Sequence, residues 1–335
     1  MKPLKSKSIL IRFAAVLIWF SLSAKFSFAQ IKLDSLVYIH ISDTHLSNPN
    51  NYESNLVKRR EHYGNGYVKF KNFLAGIPQK YHADNIVITG DIIDFFEGET
   101  PKGNLRSGQE DLFAKVYPAS PVPLLLTLGN HDISTYWSGI DKNKKSDQHN
   151  SAFARAAWIR NIPCFNKGTY YSKRYNIGGT KYLILFLDVT YLLPDNPLYA
   201  YWSPEMIEWI NHQLEENKDA KCVLFFHVPI PVADNNKDGV FLFEPKKGWP
   251  NKDSYQLGIM KVLNDNPSIK LMFVGHMHDN VIEDIDFPDG HKITEIETGA
   301  FAVDENNWRV IKFKPDVIEV SKPGSNRIEL TVSVE

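Results

Sequence analysis

Short runs of Val, Ile, Leu and Phe alternate along the chain with longer stretches whose apolar residues recur every three or four positions. The runs Leu36–Ile41, Asn85–Thr89, Pro123–Leu128, Tyr182–Leu187, Cys222–Phe226 and Lys270–Val274 are short and apolar enough to be buried strands. Between them, Pro204–Glu216 places Met206, Trp209, Ile210 and Leu214 at helical spacing, with Ser203 as N-cap and proline at the first helical position. Further helices are expected over Ser254–Leu263 and near Gln109–Val116. The end of the chain changes character. Lys292–Glu297, Arg309–Phe313, Val317–Ser321 and Arg327–Val334 read as successive strands joined by turns such as Lys322-Pro323-Gly324. Residues 302–335 are therefore expected to complete a second sheet within one domain spanning 30–335. The polar stretch Asp141–Asn150 reads as an exposed loop, and no internal repeat is visible.

The first 29 residues break this pattern. Lys2, Lys5, Lys7 and Arg12 precede the apolar run Phe13–Leu22, and Ser27-Phe28-Ala29 is a small-x-small sequence before Gln30. That layout predicts a cleaved signal peptide and a secreted or periplasmic protein. The apolar run is about half the roughly 20 residues that a spanning helix requires, so no membrane span is expected after cleavage.

Composition then narrows the class. Hydrophobic residues make up 43% of the 335, enough for a sizeable core. Loss of residues 1–29, which hold five basic residues and no acidic one, takes the net charge from -1 to -6. A mildly acidic surface weighs against nucleic acid as the main partner and points to a small substrate, and no run of Lys or Arg suggests a membrane-surface patch. The two cysteines, Cys164 and Cys222, are too few for a disulfide framework and are expected to be free.

The chemistry lies at the strand exits, where ligand sites of open α/β sheets gather. Asp43-Thr44-His45 follows the first strand and offers a carboxylate and an imidazole two residues apart, on one side of an extended backbone. Gly90-Asp91 follows the second strand; its two carboxylate oxygens suit a bridge between cations. Gly129-Asn130-His131-Asp132 follows the third, with an amide oxygen and a candidate general acid, His131. His227 ends the fifth strand, and Gly275-His276-Met277-His278 follows the sixth. Each of the first four signals also fits an ordinary turn or cap; two histidines one residue apart after a buried strand point to metal even alone. His40, His62, His82, His149, His212 and His291 stand outside any motif and read as structural or surface residues.

Taken in order, D-x-H, G-D, G-N-H-D, H and G-H-x-H resemble the calcineurin-like metallophosphoesterases from about Leu36 to His278. The resemblance implies a four-layer α/β/β/α sandwich with a dinuclear metal site at the strand ends. Matched by position, Asp43, His45 and His278 would hold one metal and Asn130, His227 and His276 the other. Asp91 would bridge them, and His131 would stay unligated beside the leaving group. The purple acid phosphatase branch has a tyrosine three residues after the bridging Asp; here that position is Asp94, and His45 stands where that branch has glycine. A ferric–tyrosinate site is not expected.

Nitrogen and oxygen donors suit Mn, Fe or Zn. Two such ions sharing a hydroxide would hydrolyse phosphate mono- or diesters. Two divalent ions, the Asp43 and Asp91 carboxylates and one hydroxide would leave the site near +1, attractive to an anionic substrate. A nuclease and an inactive metal- or phosphate-binding module are the alternatives; the acidic mature charge weighs against the first, and the complete ligand set against the second. Asp94, Asp132 and Asp279 are candidate partners of the histidine ligands. Tyr136 and Trp137 are candidates for the pocket wall. The sequence leaves open the oligomeric state, the metal and the identity of the ester.

Overall fold

A computed structural model describes residues 33–139, 146–190, 201–230, 258–287 and 289–334. The expected signal peptide, the first half of the 141–150 loop and the start of the Ser254–Leu263 helix lie outside the described residues. Residues 33–335 form one compact unit. In chain order the elements are β1 (Leu36–Ile41), α1 (Ser54–Arg60), α2 (Gly66–Lys80), β2 (Asn85–Thr89), β3 (Glu97–Glu99), β4 (Leu105–Ser107), α3 (Gln109–Val116), β5 (Leu124–Thr127), β6 (Thr135–Tyr136) and β7 (Ser146–Asp147). There follow α4 (Ser151–Asn161), β8 (Tyr171–Ile177), β9 (Thr180–Phe186), α5 (Pro204–Glu216), β10 (Lys221–Phe225), α6 (Ile259–Asp265) and β11 (Ile269–Val274). The last are β12 (Val281–Asp286), β13 (Lys292–Glu297), β14 (Trp308–Phe313), β15 (Val317–Ser321) and β16 (Ile328–Ser333).

Two six-stranded sheets carry the fold, in the orders β16-β15-β14-β1-β2-β5 and β12-β13-β11-β10-β9-β8. Strands β1, β2 and β5 run parallel, as do β9, β10, β11 and β13. Alternation along each strand builds the layers, because successive side chains point to opposite faces. In the first sheet Tyr38, Val87, Leu125, Ile311 and Phe313 meet Ile184, Phe186, Val223, Phe225 and Phe273 of the second. The intervening residues Ile39, Ile41, Ile86, Ile88 and Leu126 face outward onto α2, α3 and α4, through Phe70, Phe73, Phe113 and Trp158. On the far side Leu183, Leu185, Cys222, Leu224 and Met272 pack on α5 and α6. The architecture is the expected α/β/β/α sandwich, and burying each of these large side chains contributes about 1.5–3 kcal/mol.

The C-terminal tail departs from expectation. Lys292–Glu297 does join the second sheet, but β14, β15 and β16 return to the sheet in which the chain begins. There β14 pairs antiparallel with β1 over six residues and covers an edge that would otherwise be open. Both faces of β14 are buried, Val310 against the helices and Ile311 between the sheets, which commits it to an interior position. The cysteines are free; Cys222 is buried and Cys164 partly so.

Candidate metal centre

The five motifs leave the carboxyl ends of β1, β2, β5, β10 and β11, and the sandwich brings all five to one end. The turns are tied to one another by backbone bonds: Asp43 N–H donates to the Gly90 carbonyl at 3.1 Å, His45 N–H to that of Asp91 at 2.9 Å, and Gly275 N–H to that of His227 at 2.9 Å. Such tight exits strain the backbone. Asp43, His45, Asp91, His276 and His278 all have positive φ, between 39° and 78°. Residues held in this region cost on the order of 1–3 kcal/mol each and cluster at functional sites.

Glycines make the close approach possible. A Cβ on Gly275 would lie 1.8 Å from Ser42 Oγ, and one on Gly129 would lie 2.2 Å from both Asp91 N and Asp91 Oδ1. Gly129→Ala is expected to lower stability by about 1–3 kcal/mol or more through overpacking. Gly76, exposed in α2 with open space around it, gives the opposite sign: Gly76→Ala is expected to stabilise by up to about 1 kcal/mol. Urea unfolding midpoints of the two variants check both.

Two ligand clusters result. In the first, Asp43, His45 and His278 converge. Asp43 Oδ2 accepts the His276 backbone N–H at 3.0 Å, while Oδ1 is buried and has no hydrogen-bond donor among the described residues. His278 Nε2 lies 3.3 Å from that oxygen, and His45 Nε2 3.8 Å. The two ring nitrogens are 3.3 Å apart. An orphaned carboxylate oxygen facing two imidazole nitrogens fits a cation. In the second cluster, His227 Nε2 lies 3.2 Å from Asp91 Oδ2, 3.2 Å from Asn130 Oδ1 and 3.3 Å from His276 Nδ1. His227 Nδ1 donates to the Thr89 carbonyl at 2.7 Å, which leaves the Nε2 lone pair for the site.

Asp91 stands between the clusters, but through one oxygen. Oδ1 accepts the His131 backbone N–H at 2.8 Å, so Oδ2 alone is directed at both histidine sets, 3.2 Å from His227 Nε2 and 3.9 Å from His45 Nε2. Burial would raise these carboxylates. Instead the neighbouring His278 imidazole and the charge of His227 hold Asp43 at about 2, and the surrounding histidines hold Asp91 well below the usual range. Burial would lower His227, yet the Asp91 charge raises it to about 10. That proton and a divalent cation compete for the same Nε2 lone pair.

A third group, His45, Asp94 and His131, also draws together. It already holds a cation: the Arg60 guanidinium binds Asp94 through Nε, at 3.1 and 3.0 Å, and through Nη2. Asp94 faces the Nδ1 sides of both rings, lying 3.4 Å from His45 Nδ1, while its carbonyl accepts from His131 Nδ1 at 2.7 Å. Each ring is thereby turned so that Nε2 faces the carboxylates of the two clusters. Burial pushes His131 down to about 4, against the pull of Asp91. A phosphate dianion beside Nε2 acts in the opposite direction and favours the protonated ring.

All eight residues singled out in the sequence meet here. Of the three candidate partners, only Asp94 contacts histidine rings. Asp132 pins its own turn, accepting from Ile93 and Gly129 N–H groups at 2.9 and 2.7 Å, and the Asp279 backbone N–H donates to Glu297. Tyr136 Oη lies 3.2 Å from the His131 ring nitrogens, whereas the Trp137 ring packs on His149. His40 is structural, bonded between the sheets to Thr89 and Thr298 hydroxyls at 2.8 and 2.9 Å. Two neighbours carry no motif: Arg60, and Tyr63, whose ring stacks on His45 at 4.0 Å and 4°.

The sequence matches the calcineurin-like phosphoesterase family over residues 36–280. No curated protein matches it. Among solved structures, a dimetal phosphatase from Danio rerio is similar, with a TM-score of 0.58 at 12% identity, over 90% of this chain and 99% of that one. PhoD is similar with a TM-score of 0.53 at 12% identity, over 90% of this chain and 69% of that one.

Proposed function

The chain belongs to the calcineurin-like phosphoesterases, and we propose from that premise that it is an exported hydrolase of phosphate mono- or diesters working with two divalent cations. One atom carries the reading: Asp91 Oδ2, directed at both ligand clusters at once. Asp43, His45 and His278 would hold one cation, Asn130, His227 and His276 the other, with Asp91 between them. When bound, such a pair polarises the ester and supplies hydroxide near neutral pH.

The protein's own groups do the rest. The mixed nitrogen and oxygen donors suit Mn, Fe or Zn. Asp94 and the Thr89 carbonyl fix the rings of His45 and His227, so the donor atoms need little rearrangement. His131 Nε2 lies 3.9 Å from Asp91 Oδ2, which supports a role in giving a proton to the leaving oxygen. The basic and apolar residues before Gln30 support export, and the acidic mature chain supports a small phosphorylated substrate over nucleic acid.

Protein purified from an exporting host is expected to begin at Gln30, to hold two transition-metal ions per chain, and to hydrolyse generic aryl mono- or diesters. Chelation should abolish turnover and added Mn or Zn restore it. Protein that bound no transition metal under these conditions would overturn the reading.

A further inference from the structure

Arg60 ends α1, on a segment that no motif marks, yet its guanidinium reaches the site. One edge, Nε with Nη2, is committed to the buried Asp94 carboxylate. The charged group is braced between two rings, 5.0 Å from the centroid of Tyr63 and 5.1 Å from that of Tyr136. The other edge, Nη1 with Nη2, is different. Nη2 lies 3.4 Å from His131 Nδ1, and Nη1 has no hydrogen-bond partner among the described residues. The Arg60 side chain keeps 16% exposure where Asp94 keeps none. A guanidinium held along one edge and flanked by aromatic faces presents its second edge as a rigid two-donor fork, the geometry that grips phosphate or carboxylate oxygens.

Its position decides what the fork can reach. His131 turns Nε2 to Asp91 and Nδ1 to the Arg60 side. The fork is therefore set off from the ligand clusters by the width of an imidazole, on the side where the leaving group departs. A phosphoryl group between the clusters would be engaged by the cations that their residues would hold; a fork one ring further out would meet the next anionic group along the substrate.

We infer that Arg60 is a specificity-determining residue that binds a second anionic group on the leaving-group side, so that the site favours phosphoryl compounds whose leaving group is itself negatively charged. This rests on the proposed phosphoesterase reading and names its substrate class. Arg60→Gln removes the charge and the fork; Arg60→Lys keeps a cation for Asp94 but not a second edge.

The test compares a nucleoside 5′-diphosphate, whose leaving group is an anionic nucleotide, with the 5′-monophosphate of the same nucleoside, whose leaving group is neutral. The wild type is expected to prefer the diphosphate. In Arg60→Gln the ratio of the two kcat/KM values should fall about 10- to 100-fold, the loss of charge-assisted hydrogen bonds, and mainly through KM. Arg60→Lys should lose most of the same preference. Metal content, measured in parallel, should remain that of the wild type. Calorimetry with inorganic diphosphate and inorganic phosphate gives a readout independent of turnover: Arg60→Gln should weaken diphosphate at least about tenfold more than phosphate. Parallel losses on both members of each pair would make Arg60 a positioning residue for Asp94 and overturn the inference, as would a wild type with no preference for the diphosphates. If neither nucleotide is hydrolysed and no metal is held, the phosphoesterase reading fails as well; if only the preference is missing, that reading stands.

Discussion

Asp91→Asn is expected to lower kcat/KM by at least about 10³-fold and to leave the protein with one metal ion or none. The side chain keeps its shape, and its amide oxygen can still accept the His131 N–H that now reaches Oδ1 at 2.8 Å. What it loses is the charge on the one oxygen directed at both clusters, 3.2 Å from His227 Nε2 and 3.9 Å from His45 Nε2. Two divalent cations repel strongly at the short separation a shared carboxylate imposes. With two divalent cations bound, the Asp43 and Asp91 carboxylates would face four positive charges, so removing one would take away half of the protein's compensation. The Lewis-acid contribution of a paired site is several kcal/mol, and each 1.36 kcal/mol is about tenfold in rate. Metal analysis with steady-state kinetics on an aryl phosphate checks both parts. A variant that kept two tightly held ions and a tenth of wild-type activity would show that Asp91 does not bridge.

The sequence revealed the site better than its surroundings. Parallel strands buried on both faces read as unbroken apolar runs, so β1 and β2 stand out with their observed ends, and the polar letters after each run are the site. The helix α5 announces itself through Ser203, whose hydroxyl accepts from Met206 N–H at 3.2 Å. The edge strands are harder to see. β8 (YSKRYNI) and β12 (VIEDID) pair on one side only and carry charges that blur the period of two. Helix α4 has no clean apolar stripe, because Arg155 turns inward to the buried Asp188 at 2.8 Å. In α2, Gly66, Gly76 and Pro78 look like helix breakers, and packing of Phe70 and Phe73 overrides them.

The positions of Arg60 and Tyr63 were illegible for a different reason. Neither residue type at that spacing signals chemistry, since a Lys58-Arg59-Arg60 run usually marks the exposed, dipole-compensating end of a helix. Only the fold shows that Arg60 turns back onto Asp94 and that Tyr63 lies flat on His45. The division of labour within Asp91, one oxygen for the His131 turn and one for the clusters, is likewise a property of strand register and not of the motif. These are contacts between segments far apart in the chain, and they decide which atoms of a recognisable motif are left for catalysis.

His131→Ala separates proton transfer from metal binding. Its backbone N–H, the part that bonds Asp91, survives the substitution, and its ring belongs to neither of the two clusters facing Asp91 Oδ2. The variant is therefore expected to hold two metal ions per chain and to fold normally, since the ring is partly exposed. The rate cost should follow the leaving group. Proton donation contributes about 10²–10⁴-fold when the departing oxygen is a strongly basic alkoxide, and little when it is a stabilised aryl oxide that leaves without help. The dependence of log kcat on leaving-group pKa should thus be steeper in His131→Ala than in the wild type. Arg60 and Tyr136 both lie against the ring and will settle around the cavity, and His131→Asn, which fills part of it, should give the same slope. A uniform loss across all leaving groups would assign His131 to holding the phosphoryl group instead of protonating its product. Loss of one metal would make it a ligand, and the cluster built on His45 and Asp94 would then have to accommodate a cation where the Arg60 guanidinium now sits.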